Sequence, residues 1–264
     1  MEEKRNQERL PGMIEKAASL AAHDVTEADL KAINKYALTP LKAEDVFTFR
    51  AVLCDNELDR QFERFNLKAL QDLQKLFIGK TVIKDHYLSA DNQVARIYAT
   101  ELEQDTKTTA SGELYTRLVA KCYMVKTAGN ADLIAEIKGG IKKEGSVGFA
   151  ASSVICSICG VDNAKSYCAH YRGRSYDKDG SKQVCTFTLA GAKEAYEFSL
   201  VAVPAQKAAG ACKSYTGETV YEEKEAGTPA PVEPTGKPEE TENAEKAKEL
   251  ALRVRISEAR ARKN

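Results

Sequence analysis

The segment DVFTFRAVLCD, residues 45–55, has the side-chain alternation of a β-strand. One face carries a mixed set of side chains, Val46, Thr48, Arg50 and Val52. The opposite face is apolar throughout, with Phe47, Phe49, Ala51 and Leu53. β-Branched and aromatic residues that alternate in this way favour a strand. The segment therefore predicts a β-strand and the start of a β-rich region.

Five more strand-like segments follow it. They are TVIKDH (81–86), QVARIYATELE (93–103), LYTRLVAKCYMVK (114–126), SVGFAASSV (146–154) and EFSLVAVPA (197–205). Only two helical segments lie among them: LKALQDLQKLF, which Asn66 caps and Gly79 ends, and NADLIAEIKGG, which ends in a glycine pair. Runs of strands with few helices predict an α+β fold, a small, mostly antiparallel β-barrel or sheet flanked by helices.

The two ends of the chain have a different character. Pro11, the spacing of apolar residues from Ile14 to Ala21, and the capping box TEAD from Thr26 predict a helical extension over residues 1–42. Four of the seven prolines fall between positions 229 and 238, a composition that predicts an extended linker. With a narrow apolar stripe near the C-terminus, residues 213–264 are predicted to form a linker and a tail helix.

Composition excludes several classes of function. Lys and Arg together number 39, as do Asp and Glu, so no net positive charge exists to hold nucleic acid by counterion release. No apolar run approaches the roughly 20 residues of a membrane-spanning helix, and the first residues lack an apolar secretory segment. We therefore expect a cytoplasmic protein with no specific nucleic-acid partner and no membrane partner. Seven cysteines are an odd number for a disulfide framework, and clustered thiols in a reducing compartment favour metal binding.

Three residues on separate predicted strands have the chemistry of a nucleophilic site. His86 follows a short apolar strand and suits a general base, although a hydrogen-bonded loop histidine fits the same position. Ser146 lies between two glycines in GSVG, a pattern that is also common in turns. Glu197 begins an apolar strand, where a carboxylate beside buried surface needs a partner. Serine, imidazole and carboxylate are the groups of a nucleophile, a base and an orienting residue.

In order and in sequence, these segments resemble those of the prohead (capsid maturation) serine proteases of tailed bacteriophages, which share the herpesvirus assemblin fold. The matching elements are Asp85-His86 after a strand, GSVGF at 145–149 and EFSLVAVPAQKAA at 197–209. The similarity covers roughly residues 45–212, and the Glu-to-Pro-Ala element is its most specific part.

The resemblance implies a protease domain over residues 43–212, in which Ser146 is the nucleophile, His86 the general base and Glu197 the third member. Herpesvirus relatives use a second histidine as the third member, so other carboxylates compete with Glu197 for that role. The competitors are Glu101, Glu103 and Glu144.

The resemblance also implies a biological setting. A prohead protease is a serine endopeptidase that needs no cofactor for catalysis and processes capsid proteins during virion assembly. Its expected substrates are the phage major capsid and scaffold proteins and its own linker. The expected location is the host cytoplasm, inside the procapsid, and a homo-oligomer is compatible with this role.

The segment CSICGVDNAKSYCAH predicts a zinc site. Cys156, Cys159, Cys168 and His170 are four ligands of the types that zinc favours, and Gly160 permits a tight turn after the Cys-x-x-Cys pair. Cys185 is an alternative ligand. The zinc would be structural, in an insertion of about residues 154–187, whereas a disulfide or redox pair is the less favoured interpretation in a reducing compartment. The other cysteines, Cys54, Cys122 and Cys212, are predicted to be packing residues.

Two other functions fit parts of the sequence. A non-catalytic capsid-assembly or scaffold protein would keep a protease-like fold and use the zinc insertion and tail for docking. A zinc-ribbon nucleic-acid binder would use the basic residues in or next to the cysteine cluster, although such charges usually form a solvated face. These residues are Lys165, Arg172, Arg174, Lys178 and Lys182. Both Ser146 and His86 are present, which favours the enzyme.

Overall fold

A computed structural model describes residues 13–23, as backbone, and residues 25–203. The strands in these ranges are β1 (Met13–His23), β2 (Val46–Asp55), β3 (Glu63–Phe65), β4 (Thr81–Lys84), β5 (Ala95–Thr108), β6 (Leu114–Val125), β7 (Glu144–Ala151), β8 (Val154–Cys156), β9 (Ser175–Lys178), β10 (Ser181–Val184), β11 (Phe187–Leu189) and β12 (Ala192–Leu200). The α-helices are α1 (Glu27–Ile33), α2 (Leu67–Leu76) and α3 (Ala131–Lys138).

Seven strands form the main sheet. Their order is β1-β2-β6-β5-β4-β12-β7, and β1 pairs with both β2 and β7. Neighbouring strands are antiparallel except β4 and β12, which run parallel. The predicted mixed α+β fold, mostly strands with few helices, is therefore confirmed.

The predicted helix at the start of the N-terminal extension is wrong, because Met13–His23 forms β1. An apolar spacing over so short a run does not separate a helix from a strand, and tertiary pairing overrides a weak propensity. Here the backbone of β1 bonds to two strands at once, which satisfies its donors and acceptors on both sides.

The helix predicted from the capping box at Thr26 is confirmed as α1. The Thr26 hydroxyl accepts the Asp29 N–H at 3.2 Å, and the Asp29 carboxylate accepts the Thr26 N–H at 3.0 Å. The predicted linker and tail helix, residues 213–264, lie outside the described residues.

Helix α2 covers one side of the main sheet, against β5, β6 and β12. Asn66 caps it as predicted, since its side-chain oxygen accepts the Ala69 N–H at 2.8 Å. Leu70 and Leu73, one turn apart, are fully buried in the same core as Phe149 and Phe198. None of the described helices is both long and apolar enough to span a bilayer.

The insertion after β7 builds two small sheets. Strands β8 and β11 join β3 in the order β3-β11-β8, and β9 pairs with β10. The chain then enters β12, which returns beside β7 as its antiparallel neighbour. The insertion therefore leaves the pairing of these two strands in place.

Gly145 on β7 lies where no side chain fits. A Cβ at this position would stand 2.3 Å from Cε2 and 2.4 Å from Cζ of Phe198, whose ring is fully buried. It would also stand 3.1 Å from the carbonyl oxygen of Ser199. The glycine thus allows β7 to approach β12 closely at the residue before Ser146.

We predict that Gly145→Ala lowers the free energy of unfolding by about 1–3 kcal/mol, the usual cost of an overpacked core. Chemical denaturation of the full chain measures it. Gly129→Ala is the matched control, because the nearest atom to its added Cβ, the Thr127 Oγ1, is 3.9 Å away. Equal stability of the Gly145→Ala variant and the wild type would show that the sheet relaxes around the methyl group.

Candidate active site and metal centre

Strand β12 separates its side chains into two environments. Phe198 and Leu200 point into the hydrophobic core. Glu197 and Ser199 alternate with them and therefore lie together on the other face, yet both are fully buried. A buried carboxylate needs hydrogen-bond partners to offset the loss of its hydration.

Glu197 has a partner for each of its oxygens. Its Oε1 lies 2.8 Å from Nδ1 of His86, and its Oε2 accepts a hydrogen bond of 2.6 Å from the Ser199 hydroxyl. The His86 side chain is itself only 13% exposed. A carboxylate bonded to Nδ1 favours the tautomer that carries its proton there, which leaves Nε2 as the basic nitrogen.

His86 lies in a tight turn after β4. Asp85 and His86 both have φ of 54°, and the Tyr87 N–H donates to the Lys84 carbonyl oxygen at 3.0 Å. Positive φ at both central residues is the pattern of a type I′ turn. Asp and His are among the few non-glycine residues that tolerate this conformation, at a cost of about 1–3 kcal/mol each.

Ser146 reaches the same face through the register of β7. It pairs with Ser199 across the antiparallel β7–β12 ladder, which places their Cβ atoms about 4.5–5.5 Å apart on one face. Ser146 is 5% exposed. The structure thus brings His86 and Glu197 into direct contact and sets Ser146 beside them by strand pairing, without a His86–Ser146 hydrogen bond among the described contacts.

The competing carboxylates have other partners. Glu101 and Glu103 on β5 bind Arg50 on β2, across the intervening strand β6. Glu103 also accepts from Arg117 of β6 at 2.7 Å. Burial raises the pKa of Glu103, but Arg117 and Arg50 lower it by more, so it lies below its usual value. The Oε1 of Glu144 lies 3.6 Å from the Nζ of Lys143. Of the four carboxylates, Glu197 is the one in contact with His86.

Ser199 is a site residue that the sequence reasoning missed. Its hydroxyl bonds to Glu197 and also accepts the backbone N–H of His86 at 3.0 Å. The sequence contains one signal of this role, because a polar residue two positions after Glu197 shares its strand face. That signal is weak alone, since serine is common on strand faces that meet solvent.

The predicted metal ligands converge in the insertion. One ligand atom from each of Cys156, Cys159, Cys168 and His170 lies within 4.8 Å of the other three. Burial raises the pKa of the Cys156 thiol, but N–H groups of Cys159 and Ile158 and the neighbouring thiols lower it by more. The net pKa is below the ordinary value, which suits a thiolate ligand.

His170 gives an independent test of whether a metal fits. Its Nδ1 is buried and has no hydrogen-bond partner among the described residues. Its ring packs edge-on against Tyr176, with centroids 4.6 Å apart, which fixes its orientation. A buried ring nitrogen without a partner, next to three thiols, is the arrangement that a metal ion would complete. These residues are therefore close enough to bind a metal such as zinc.

Cys185 lies beside the cluster. Its thiol is fully buried, and its sulfur is 3.9 Å from that of Cys156. Burial raises the pKa of Cys185 to about 12, and the neighbouring thiols Cys156, Cys168 and Cys159 add to the shift. Cys185 therefore stays an alternative ligand by position, although it lies outside the group of four.

Most basic residues of the insertion bind groups within the protein. Arg172 pairs with Glu63 and stacks over the Phe187 ring, and Arg174 stacks over Tyr171. Lys178 donates to the Ser157 carbonyl oxygen at 2.7 Å, and the Nζ of Lys165 lies 3.5 Å from the Oδ2 of Asp162. These contacts give four of the five basic residues partners within the protein, as expected of a solvated charged face.

Cys54 and Cys122 are fully buried and have the environment of packing residues, and burial raises the pKa of Cys122. Cys212 lies outside the described residues.

No protein-family model, curated protein or solved structure matches the chain. The geometry of its own residues is therefore what bears on its function.

We predict that the purified protein carries one zinc ion per chain and that Cys159→Ser lowers both zinc content and melting temperature. The reason is that the binding energy of a structural metal is part of the folding energy. Elemental analysis and thermal denaturation measure the two effects. Cys122→Ala is the control, since it removes a core thiol and should cost stability without loss of zinc.

His170→Ala and Cys185→Ala identify the fourth ligand. With the group of four as the ligand set, His170→Ala loses zinc and Cys185→Ala retains it. The reverse pattern would assign the position to Cys185, and wild-type protein without metal would contradict the site altogether.

Proposed function

We propose that this protein is a serine endopeptidase in which Ser146, His86 and Glu197 act as one unit. The observation that carries the proposal is the 2.8 Å contact between His86 Nδ1 and the fully buried Glu197, with Ser146 on the same sheet face. A base held by a buried carboxylate beside a hydroxyl is the arrangement that activates a serine nucleophile.

The proposed reaction is acyl transfer. The Ser146 hydroxyl oxygen attacks a peptide carbonyl carbon, and its proton passes to Nε2 of His86. Glu197 holds the ring through Nδ1 and stabilises the imidazolium that forms. His86 then gives the proton to the departing amine, and water repeats the sequence to release the acyl group. Backbone N–H groups would stabilise the oxyanion.

The proposed substrates follow from the resemblance to prohead proteases. They are phage capsid and scaffold proteins, and the chain itself, during maturation of the procapsid. The small barrel of the assemblin fold belongs to this proposal, and it is supported by the pairing of β1 with both β2 and β7.

Zinc has a structural role in the proposal. Three cysteines and one histidine would occupy all four positions of a tetrahedral ion, which leaves no position for substrate or water. The ion would fasten the insertion between β7 and β12. The peptide chemistry is assigned to Ser146, His86 and Glu197, and the ion takes no part in it.

A fluorophosphonate probe tests the proposed unit. An activated serine oxygen displaces fluoride from phosphorus, and the base takes the serine proton. We expect Ser146→Ala to abolish labelling, His86→Ala to slow it about 10²–10⁴-fold, the usual contribution of a general base, and Glu197→Gln to slow it less. Adding His86→Ala to Ser146→Ala should change nothing further, because such residues act together.

Ser181→Ala is the matched control, since this exposed serine lies on the β9–β10 hairpin of the insertion. Its labelling should equal that of the wild type. Labelling that persists in Ser146→Ala would refute the assignment. A folded wild-type protein that takes up no label would favour the non-catalytic assembly protein.

A further inference from the structure

We propose that Ser199 is a positioning residue that holds both the backbone and the side chain of His86. This inference rests on the proposed function, because it assigns Ser199 to the same site. Its hydroxyl makes two hydrogen bonds, one with the backbone of His86 and one with the carboxylate that contacts the His86 ring. It accepts the His86 N–H at 3.0 Å and donates to Glu197 Oε2 at 2.6 Å.

The first bond holds a strained turn. Asp85 and His86 both have φ of 54°, a conformation that persists only where surrounding contacts fix it. The Asp85 N–H is fixed by the main chain, through the Leu200 carbonyl oxygen at 2.9 Å. The next N–H, that of His86, is fixed by a side chain, that of Ser199. The Ser199 hydroxyl thus holds the His86 N–H against β12.

The second bond holds the carboxylate that orients the ring. Glu197 Oε1 faces His86, and Oε2 is bound by Ser199, so the carboxylate is fixed at both oxygens. Ser199 is fully buried, so its hydroxyl is out of contact with solvent. Loss of this hydroxyl therefore loosens the carboxylate and the turn together, although neither residue is changed.

The same bonds separate the roles of the two paired serines. Ser199 pairs with Ser146 across the ladder, so both lie on the face that carries Glu197. The hydroxyl hydrogen of Ser199 is directed at Glu197, which commits it to the carboxylate. Ser199 is therefore suited to positioning, and Ser146 remains the nucleophile.

Amide hydrogen exchange tests this role without any enzymatic activity. In Ser199→Ala, the His86 amide should lose protection, whereas the Asp85 amide keeps its main-chain bond and serves as the internal control. Ser199→Thr keeps the hydroxyl and should restore the protection of His86. Ser199→Cys, whose thiol is a weaker donor than the hydroxyl, provides a second variant if Ser199→Ala does not fold.

Labelling by the fluorophosphonate supplies the kinetic test. Ser199→Ala should lower the maximal rate of labelling about 10- to 100-fold, the effect of losing one hydrogen bond to a charged group, with little change in the probe concentration at half-maximal rate. Ser199→Ala in the Glu197→Gln background should add much less, because Ser199 acts through that carboxylate.

Unchanged protection of His86 together with unchanged labelling in Ser199→Ala or Ser199→Cys would overturn the positioning role. The two proposals fail differently. If the wild type takes up no label, the proposed function falls, and selective loss of His86 protection in Ser199→Ala would still support the positioning of His86 by Ser199.

Discussion

The arrangement of this site depends on the fully buried carboxylate of Glu197. A carboxylate without water is costly unless each oxygen has a hydrogen-bond partner. Here one partner is the ring of His86 and the other is the hydroxyl of Ser199, and Ser199 also holds the backbone of His86. The hydrogen bonds that the buried carboxylate needs therefore also fix the orientation of His86 beside Ser146.

The topology explains how this site tolerates an insertion that carries the candidate metal ligands. Ser146 and Glu197 lie on antiparallel neighbours, β7 and β12, whose connection does not need to cross the sheet. An insertion between these two strands can therefore extend away from the sheet while β7 and β12 remain paired. Within this segment, Cys156, Cys168 and Cys185 pack with Phe187 in a small core separate from that of the main sheet. The two motifs that lie close together in the sequence thus have different places in the fold: GSVG is on β7 of the main sheet, and Cys-x-x-Cys begins at the end of β8 in a small separate sheet.

Sequence patterns predicted those parts of the fold that local chemistry determines. The strand alternation at 45–55, the Asn66 cap and the ligand spacing of the cysteine cluster each depend on neighbouring residues, and the structure has all three. The strand β1 was mistaken for a helix because its conformation depends on β2 and β7, which are distant in sequence. Ser199 was missed for a related reason, since its role exists only once the turn at His86 meets β12.

The most direct test of the central claim, that Ser146, His86 and Glu197 form a peptide-cleaving unit, is cleavage itself. The full chain would be co-expressed with phage capsid and scaffold proteins, and mass spectrometry would map every new terminus in all of the proteins. The account predicts new termini with the wild type and none with Ser146→Ala at equal expression. The same termini in both would contradict it, because the cleavage would then come from another protease.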